Sequence, residues 1–286
     1  MQNLERYKVF YHCAKYNNFS AAAKKLFITQ SSVSQTIKLL EEELGVPLFF
    51  RRGRKVEVTH YGKTLLKHLE ESFNQIELAE RLLKSEQNLE GGTLKIGASD
   101  TLCRHFLLEH FENFHKECPK VNLDIINKPS PNIVEKLRQN QIDIGFINGK
   151  KEDYKAFHAE EVFDAKEIFF TSKEYKHLAE SKLSKKEIQA QPFVTLGPQT
   201  STRRFLEKLI GEITPVVEVI SIDLSIDLIK AGFGISFTYE RLVEKEGLIP
   251  LQVDFQIPER QILMLTTKES TTFPLVRHFK ELVEKR

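Results

Sequence analysis

Three cysteines in 286 residues (Cys13, Cys103, Cys118), with no Cys-x-x-Cys pair, leave this sequence without a zinc-site or disulfide-scaffold spacing. An odd number of scattered thiols fits a reducing compartment, where they stay free. Long apolar runs are missing too. None approaches the roughly 18 residues needed to cross a bilayer, and the first six residues carry no apolar stretch of the kind a secretory signal needs. These absences point to a cytoplasmic protein with no membrane segment. Phosphate-cradling and dinucleotide-binding glycine patterns are absent, as is Gly-x-Ser-x-Gly. The nine histidines show no tight spacing with cysteines or carboxylates. Nothing in the sequence calls for a metal, a cofactor or an enzymatic reaction.

What is present begins with the placement of charge. The formal net charge is only +2, yet residues 1–60 hold ten Lys/Arg against five Asp/Glu, leaving 32 against 35 in the remainder. A basic N-terminal module on a slightly acidic body suggests contact with a polyanion at one end. With 41% hydrophobic and 29% charged residues, the chain has the composition of a globular protein, and its length suggests about two domains.

Residues 4–16 read as a helix with Leu4, Tyr7, Phe10 or Tyr11, and Ala14 on one face. Ser20 is the expected N-cap of a short helix, 21–27, and Thr29 that of a helix from Gln30 to about Leu44, which stops at Gly45. Residues 48–51 and 56–58 read as two short strands around a basic turn. Along the 30–44 helix, Val33, Ile37, Leu40 and Leu44 share one side. Gln30, Ser31, Ser34, Gln35 and Lys38 share the other, where they can reach base edges or phosphates. Arg51, Arg52, Arg54 and Lys55 make a compact basic wing suited to the DNA backbone. Each feature alone is also compatible with a solvated helix face or an ordinary hairpin; together and in this order they describe a winged helix-turn-helix.

From Thr59 to about Asn88 there is no proline, and after Gly62 no glycine. Leu66, Leu69, Phe73, Ile76 and Leu83 form a coiled-coil-like seam interrupted at Glu80. A helix of this length with one narrow apolar seam implies a partner, most simply a second copy. Beyond Gly91-Gly92, strand-like runs (94–98, 121–126, 142–147, 167–171, 193–196, 216–220, 234–237, 262–266) alternate with helical ones, which argues for parallel sheets covered by helices.

The stretch Phe19-Ser20-Ala21-Ala22-Ala23, with Leu26, Thr29 to Lys38, Leu40-Glu41, Leu44-Gly45, Leu48-Phe49, Arg51, Thr59 and Gly62, resembles the LysR-type transcriptional regulators. Ser31 departs from it, standing where the family most often has proline. The resemblance extends over the whole chain. It implies an α/β protein with three parts: a winged helix-turn-helix DNA-binding domain (1–60), a linker and dimerisation helix (61–90), and a periplasmic-binding-protein-like effector domain (91–286). That last domain would have subdomain I at about 91–162 plus 266–286 and subdomain II at about 163–265. It also implies double-stranded promoter DNA with an inverted repeat, a homodimer or homotetramer, a small-molecule co-inducer and potential contact with RNA polymerase. Ser20, Thr29, Gln30, Ser31, Ser32, Ser34, Gln35, Lys38 and the four wing residues would serve DNA.

In open parallel sheets, ligands sit at the carboxyl ends of the strands. That places Ser99, Asp100, Thr101, Pro129, Ser130, Asn148, Thr200, Ser201, Thr202 and Phe237 around the cleft. Hydroxyls beside helix N–H groups suit an anion, with Arg203 or Arg204 as a charged supplement; the serines and threonines are equally ordinary N-caps. Asp143 reads as structural. Two other readings stay open: a ligand-binding protein whose N-terminal module makes only protein contacts, and a thiol redox sensor built on Cys103 near a helix start. Cys118 lies about 22 Å along the same expected helix, too far to bridge.

Overall fold

The computed structural model describes residues 4–52, 55–85 and 91–284. The chain divides into two compact units, Met1–Arg81 and Leu82–Arg286.

In the first unit, α1 (Leu4–Tyr16), α2 (Phe19–Leu26) and α3 (Gln30–Leu44) precede an antiparallel hairpin, β1 (Phe49–Arg52) with β2 (Lys55–Val58), and then α4 (His60–Ser85). Val9, Phe10, Cys13, Ala22, Val33, Ile37 and Leu40 close the core, while Leu4 stays exposed. Ser20 is not the N-cap of α2. Asn18 is, its side chain accepting from Ser20 N at 2.8 Å and Ala21 N at 3.0 Å, so Ser20 sits inside the first turn. Thr29 caps α3 through Ser32 N (3.1 Å), and Gly45 ends it in the left-handed region at φ 70°. Glu41 Oε1 accepts from Leu48 N (2.7 Å) and Phe49 N (3.1 Å), holding the base of the hairpin to α3. Thr59 Oγ1 donates to Pro47 O (2.7 Å) and accepts from Gly62 N (3.0 Å), fixing the entry to α4.

The seam on α4 splits. Leu66, Leu69 and Phe73 pack into the unit's own core, whereas Ile76 is 45% and Leu83 76% exposed.

The second unit holds two sheets. The first runs in the order β4-β3-β5-β12-β6 and comprises β3 (Thr93–Ala98), β4 (Asn122–Asn127), β5 (Ile144–Gly149), β6 (His158–Ala165) and β12 (Arg260–Thr266). The second contains β7 (Glu167–Thr171) between β10 (Ile235–Tyr239) and β11 (Ile249–Leu251). The parallel pair β8 (Val194–Leu196) and β9 (Val217–Val219) joins it through a Phe193–Ile235 bridge. Helices follow the strands: α5 (Asp100–Leu102), continuing through a π-helical turn, Cys103–Leu107, into α6 (Leu108–Glu117); then α7 (Ser130–Arg138), α8 (Lys185–Gln189), α9 (Ser201–Ile210), α10 (Ile222–Lys230), α11 (Glu240–Lys245) and α12 (Pro274–Glu284).

The expectation of purely parallel sheets needs correction. β3 is parallel to β4 and β5, but β12 is antiparallel to both β5 and β6, and β7 is antiparallel to β10 and β11. The chain leaves the first sheet after β6 and comes back along β12, and an outgoing strand beside a returning one is antiparallel by necessity. Asp143 stands one residue ahead of β5, not inside it. Its N–H donates to Lys95 O (2.8 Å) and its Oδ2 accepts from Lys95 N (2.9 Å), so it clamps the start of β5 to β3.

Candidate DNA-reading surface and ligand cleft

Burying Val33, Ile37 and Leu40 turns the other face of α3 outward. Thr29, Gln30, Ser31, Ser32, Gln35 and Lys38 are exposed there, and Ser34 is half-buried. Lys38 Nζ approaches Glu42 at only 3.6 Å, with both side chains largely in solvent. Its charge is therefore available to a polyanion. The Thr29 hydroxyl lies 2.9 Å from the hydroxyls of both Ser31 and Ser32, so this edge is a cluster of small hydroxyls at a helix start. Ser20 is exposed on α2. Arg54 lies outside the described residues, and for Arg51, Arg52 and Lys55 only the strand backbone is described.

The second unit holds a cavity of about 100 Å³. Every strand end that borders it is a carboxyl end: residues 99–102 after β3, 127–130 at β4, Asn148 in β5, Leu196 and residues 199–202 at β8, Ile220 after β9 and Tyr239 closing β10. Nine of the ten residues expected around the cleft line it together. Phe237 does not: it is buried against Phe169, 4.8 Å between ring centroids. The strand runs two residues beyond the expected end, so Tyr239 stands at its tip and reaches the cavity. Neither arginine expected to supplement the site reaches it. Arg203 is buried and spent on Glu207 (2.7 Å) and Ile213 O (3.0 Å), and Arg204 Nε turns to Pro198 O (3.4 Å).

The lining is tied together by long-range polar contacts. Asn148 Nδ2 donates to the Tyr239 hydroxyl (3.0 Å), Ser130 Oγ to Ser201 Oγ (3.5 Å), and Asn127 Nδ2 to Asp100 Oδ1 (3.1 Å). Behind Ser201, Arg260 forks onto Glu167 (2.7 and 2.6 Å), donates to Ser201 O (3.3 Å) and lies 4.1 Å over the Phe205 ring. Full burial pushes the Glu167 carboxyl up; the charge and hydrogen bonds of Arg260, and the Thr202 hydroxyl, pull against that. At the rim, Asp223 on α10 takes Arg104 (2.8 Å) and His105 (3.0 Å) from the π-helical turn. Sequence reasoning placed Lys128 at the second strand end but passed over Tyr239 and Asn127. Lys128 and Asn127 flank a strand end that the alternation did mark.

The Cys103 thiol behaves opposite to a helix-start thiolate. Burial, then the nearby Asp100 carboxylate, push it up to about 11, and burial pushes Cys13 up to about 12. Both are neutral thiols at neutral pH.

A helix-turn-helix unit followed by a two-sheet α/β unit with a cleft at the strand ends defines a ligand-responsive DNA-binding regulator. Residues 4–63 match the bacterial regulatory helix-turn-helix protein, lysR family, and residues 87–286 match the LysR substrate binding domain. The chain belongs to the LysR family of bacterial transcriptional regulators, which are not enzymes. It is 27% identical over 290 residues to the HTH-type transcriptional regulator AlsR of Bacillus subtilis (strain 168), covering 96% of this chain and 93% of AlsR. It is 26% identical over 254 residues to a probable RuBisCO transcriptional regulator of Thalassiosira pseudonana, covering 85% and 83%. Among solved structures, a full-length OxyR variant from Pseudomonas aeruginosa superposes with a TM-score of 0.70 at 19% identity over 99% of this chain and 94% of that one. Full-length CbnR complexed with its target DNA gives 0.68 at 17% identity over 99% of each. At these identities the structural likeness establishes the fold. No helix among the described residues is long and apolar enough to cross a membrane.

Proposed function

We propose that this regulator works in the cytoplasm as a homodimer or homotetramer, reading an inverted repeat at a promoter and changing its occupancy, or its contact with RNA polymerase, when a small anion enters the cleft. In this reading residues 1–60 bind DNA, 61–90 pair two chains through a coiled-coil linker, and 91–286 sense the ligand. The observation that carries the DNA half is the outward polar face of α3, from Gln30 to Lys38, set opposite a fully buried apolar face. The ligand half is supported by small hydroxyls and helix N-termini gathered at the carboxyl ends of both sheets' strands.

Affinity for DNA containing the chain's own upstream region should fall steeply with salt, because each neutralised phosphate releases counterions. Lys38→Ala should reduce discrimination between that site and unrelated DNA, whereas Arg54→Ala should weaken both about equally. Mobility shift or fluorescence anisotropy at 50 and 200 mM salt reads both effects. A salt-independent affinity would leave the N-terminal unit as a protein-contact module.

A further inference from the structure

We infer that the cleft ligand is a small 2-hydroxycarboxylate, held by its carboxylate at the starts of α7 and α9 and by its hydroxyl at Asn148; this rests on the reading of the cleft as an anion site. Two helices, α7 and α9, one from each sheet's connections, begin at the same cavity. The Ser130–Ser201 hydroxyl contact of 3.5 Å marks where they meet. The Thr200 cap serves Arg203 N (3.2 Å), so the opening amides of α9, Ser201 and Thr202, have no protein acceptor among the described residues. Two positive dipole ends on the wall of one cavity favour an anion there. Lys128, exposed on the cavity wall, adds a cation.

The independent observation is Asn148. It lines the cavity and is 4% exposed, and its Oδ1 accepts no hydrogen bond, although its Nδ2 is committed to Tyr239. A buried amide oxygen left without a donor costs stability unless something supplies one. A ligand carrying a carboxylate alone cannot do so; it needs a hydroxyl or amino group near the carboxylate. Asn148 and Tyr239 are both neutral and buried, a poor setting for an ammonium. The one carboxylate on the lining, Asp100, is already engaged by Asn127 and lies 3.8 Å from Arg104. A hydroxyl therefore fits better than an amine. Size agrees: a dry cavity of about 150 Å³ accepts benzene, so the 100 Å³ here suits about four to six non-hydrogen atoms.

Isothermal titration of the full-length protein with racemic lactate, propionate, alanine and inorganic phosphate tests this. Lactate should bind at least tenfold more tightly than propionate or alanine, since a site built around a hydroxyl rejects the analogue lacking it. In Asn148→Leu the lactate-to-propionate ratio should collapse to about one, with propionate affinity retained. If that variant does not fold, the wild-type series decides alone. Equal binding of lactate and propionate, or tighter binding of alanine, overturns the hydroxyl assignment while leaving the anion site standing. Phosphate binding with no carboxylate binding does the same. Failure of all four overturns both. Retained preference in the folded Asn148→Leu variant removes Asn148 from the site.

Discussion

Gly62 shows how a single residue of the N-terminal signature is enforced by space. A Cβ there would fall inside contact distance of the Leu48 carbonyl and 2.6 Å from Val58 Cγ1. Backbone cannot yield as a side-chain end can, so Gly62→Ala should lose about 1–3 kcal/mol in urea unfolding. Gly45 serves a different purpose. Nothing stands within 4 Å of its Cβ position, and only its φ of 70° demands glycine; Gly45→Ala should lose about 1 kcal/mol. A loss at Gly45 exceeding that at Gly62 would contradict this division. Residues of this kind were legible because their reasons are local: a cap, a turn, a close approach within the same short segment. Asn18 was overlooked for Ser20 by the same local logic, since both are good caps and only the extended backbone of Asn18 (φ −157°, ψ 118°) decides between them.

At the scale of the element, α4 carries a seam whose spacing was readable but whose partners were not. Its first half, Leu66 to Phe73, completes the core of its own unit. Its second half leaves Ile76 and Leu83 facing solvent. If the second half pairs two chains, the double substitution Ile76→Glu and Leu83→Glu should weaken self-association at least tenfold in sedimentation equilibrium, since each large apolar side chain contributes about 1.5–3 kcal/mol when covered. Leu66→Glu should instead destabilise the fold. Unchanged association in the double variant would remove this stretch of α4 as the pairing surface. Periodicity reports that a helix has an apolar side; it does not report whether that side meets the same chain or another. The strands of the second unit tell a similar story. β6 and β11 were not marked by sequence pattern: β6 carries Glu160, Glu161 and Asp164, and β11 has Pro250 at its centre, residue types that strands disfavour.

At the scale of the whole chain, the Arg260–Glu167 pair occupies the place where the chain crosses between sheets: Glu167 opens β7 and Arg260 opens the returning β12. Removing one partner of a buried pair strands the other. Arg260→Met should lose about 3–5 kcal/mol at pH 7, and adding Glu167→Gln should recover part of it. The pH dependence has a definite sign. Without Arg260, only the Thr202 hydroxyl opposes the burial that pushes the Glu167 carboxyl up. Its folded-state value then lies above the roughly 4.3 of an unfolded glutamate, and the folded protein holds the extra proton between those two values. Stability of the variant falls as pH rises through that window, so its deficit should be smaller at pH 4 than at pH 7. Thermal unfolding at the two values checks this, and a deficit that grew toward pH 4 would contradict it.

By itself the sequence determined the N-terminal helices to within a residue or two, the two faces of α3, and nine residues that the fold gathers at one cavity. Each rests on signals carried within a few neighbouring residues: 3.6-residue periodicity, capping side chains, and strand-to-helix transitions that mark strand ends. Only the tertiary structure decided which arginine stands behind the cleft, that Tyr239 and not Phe237 reaches it, that Asn148 keeps an unsatisfied oxygen there, and that β12 returns antiparallel. Those facts depend on residues brought together from far apart in the chain, as with Asn148 and Tyr239 across 91 positions. No local pattern encodes the far partner of such a contact, because burial and hydrogen-bond satisfaction are set only when the sheets assemble.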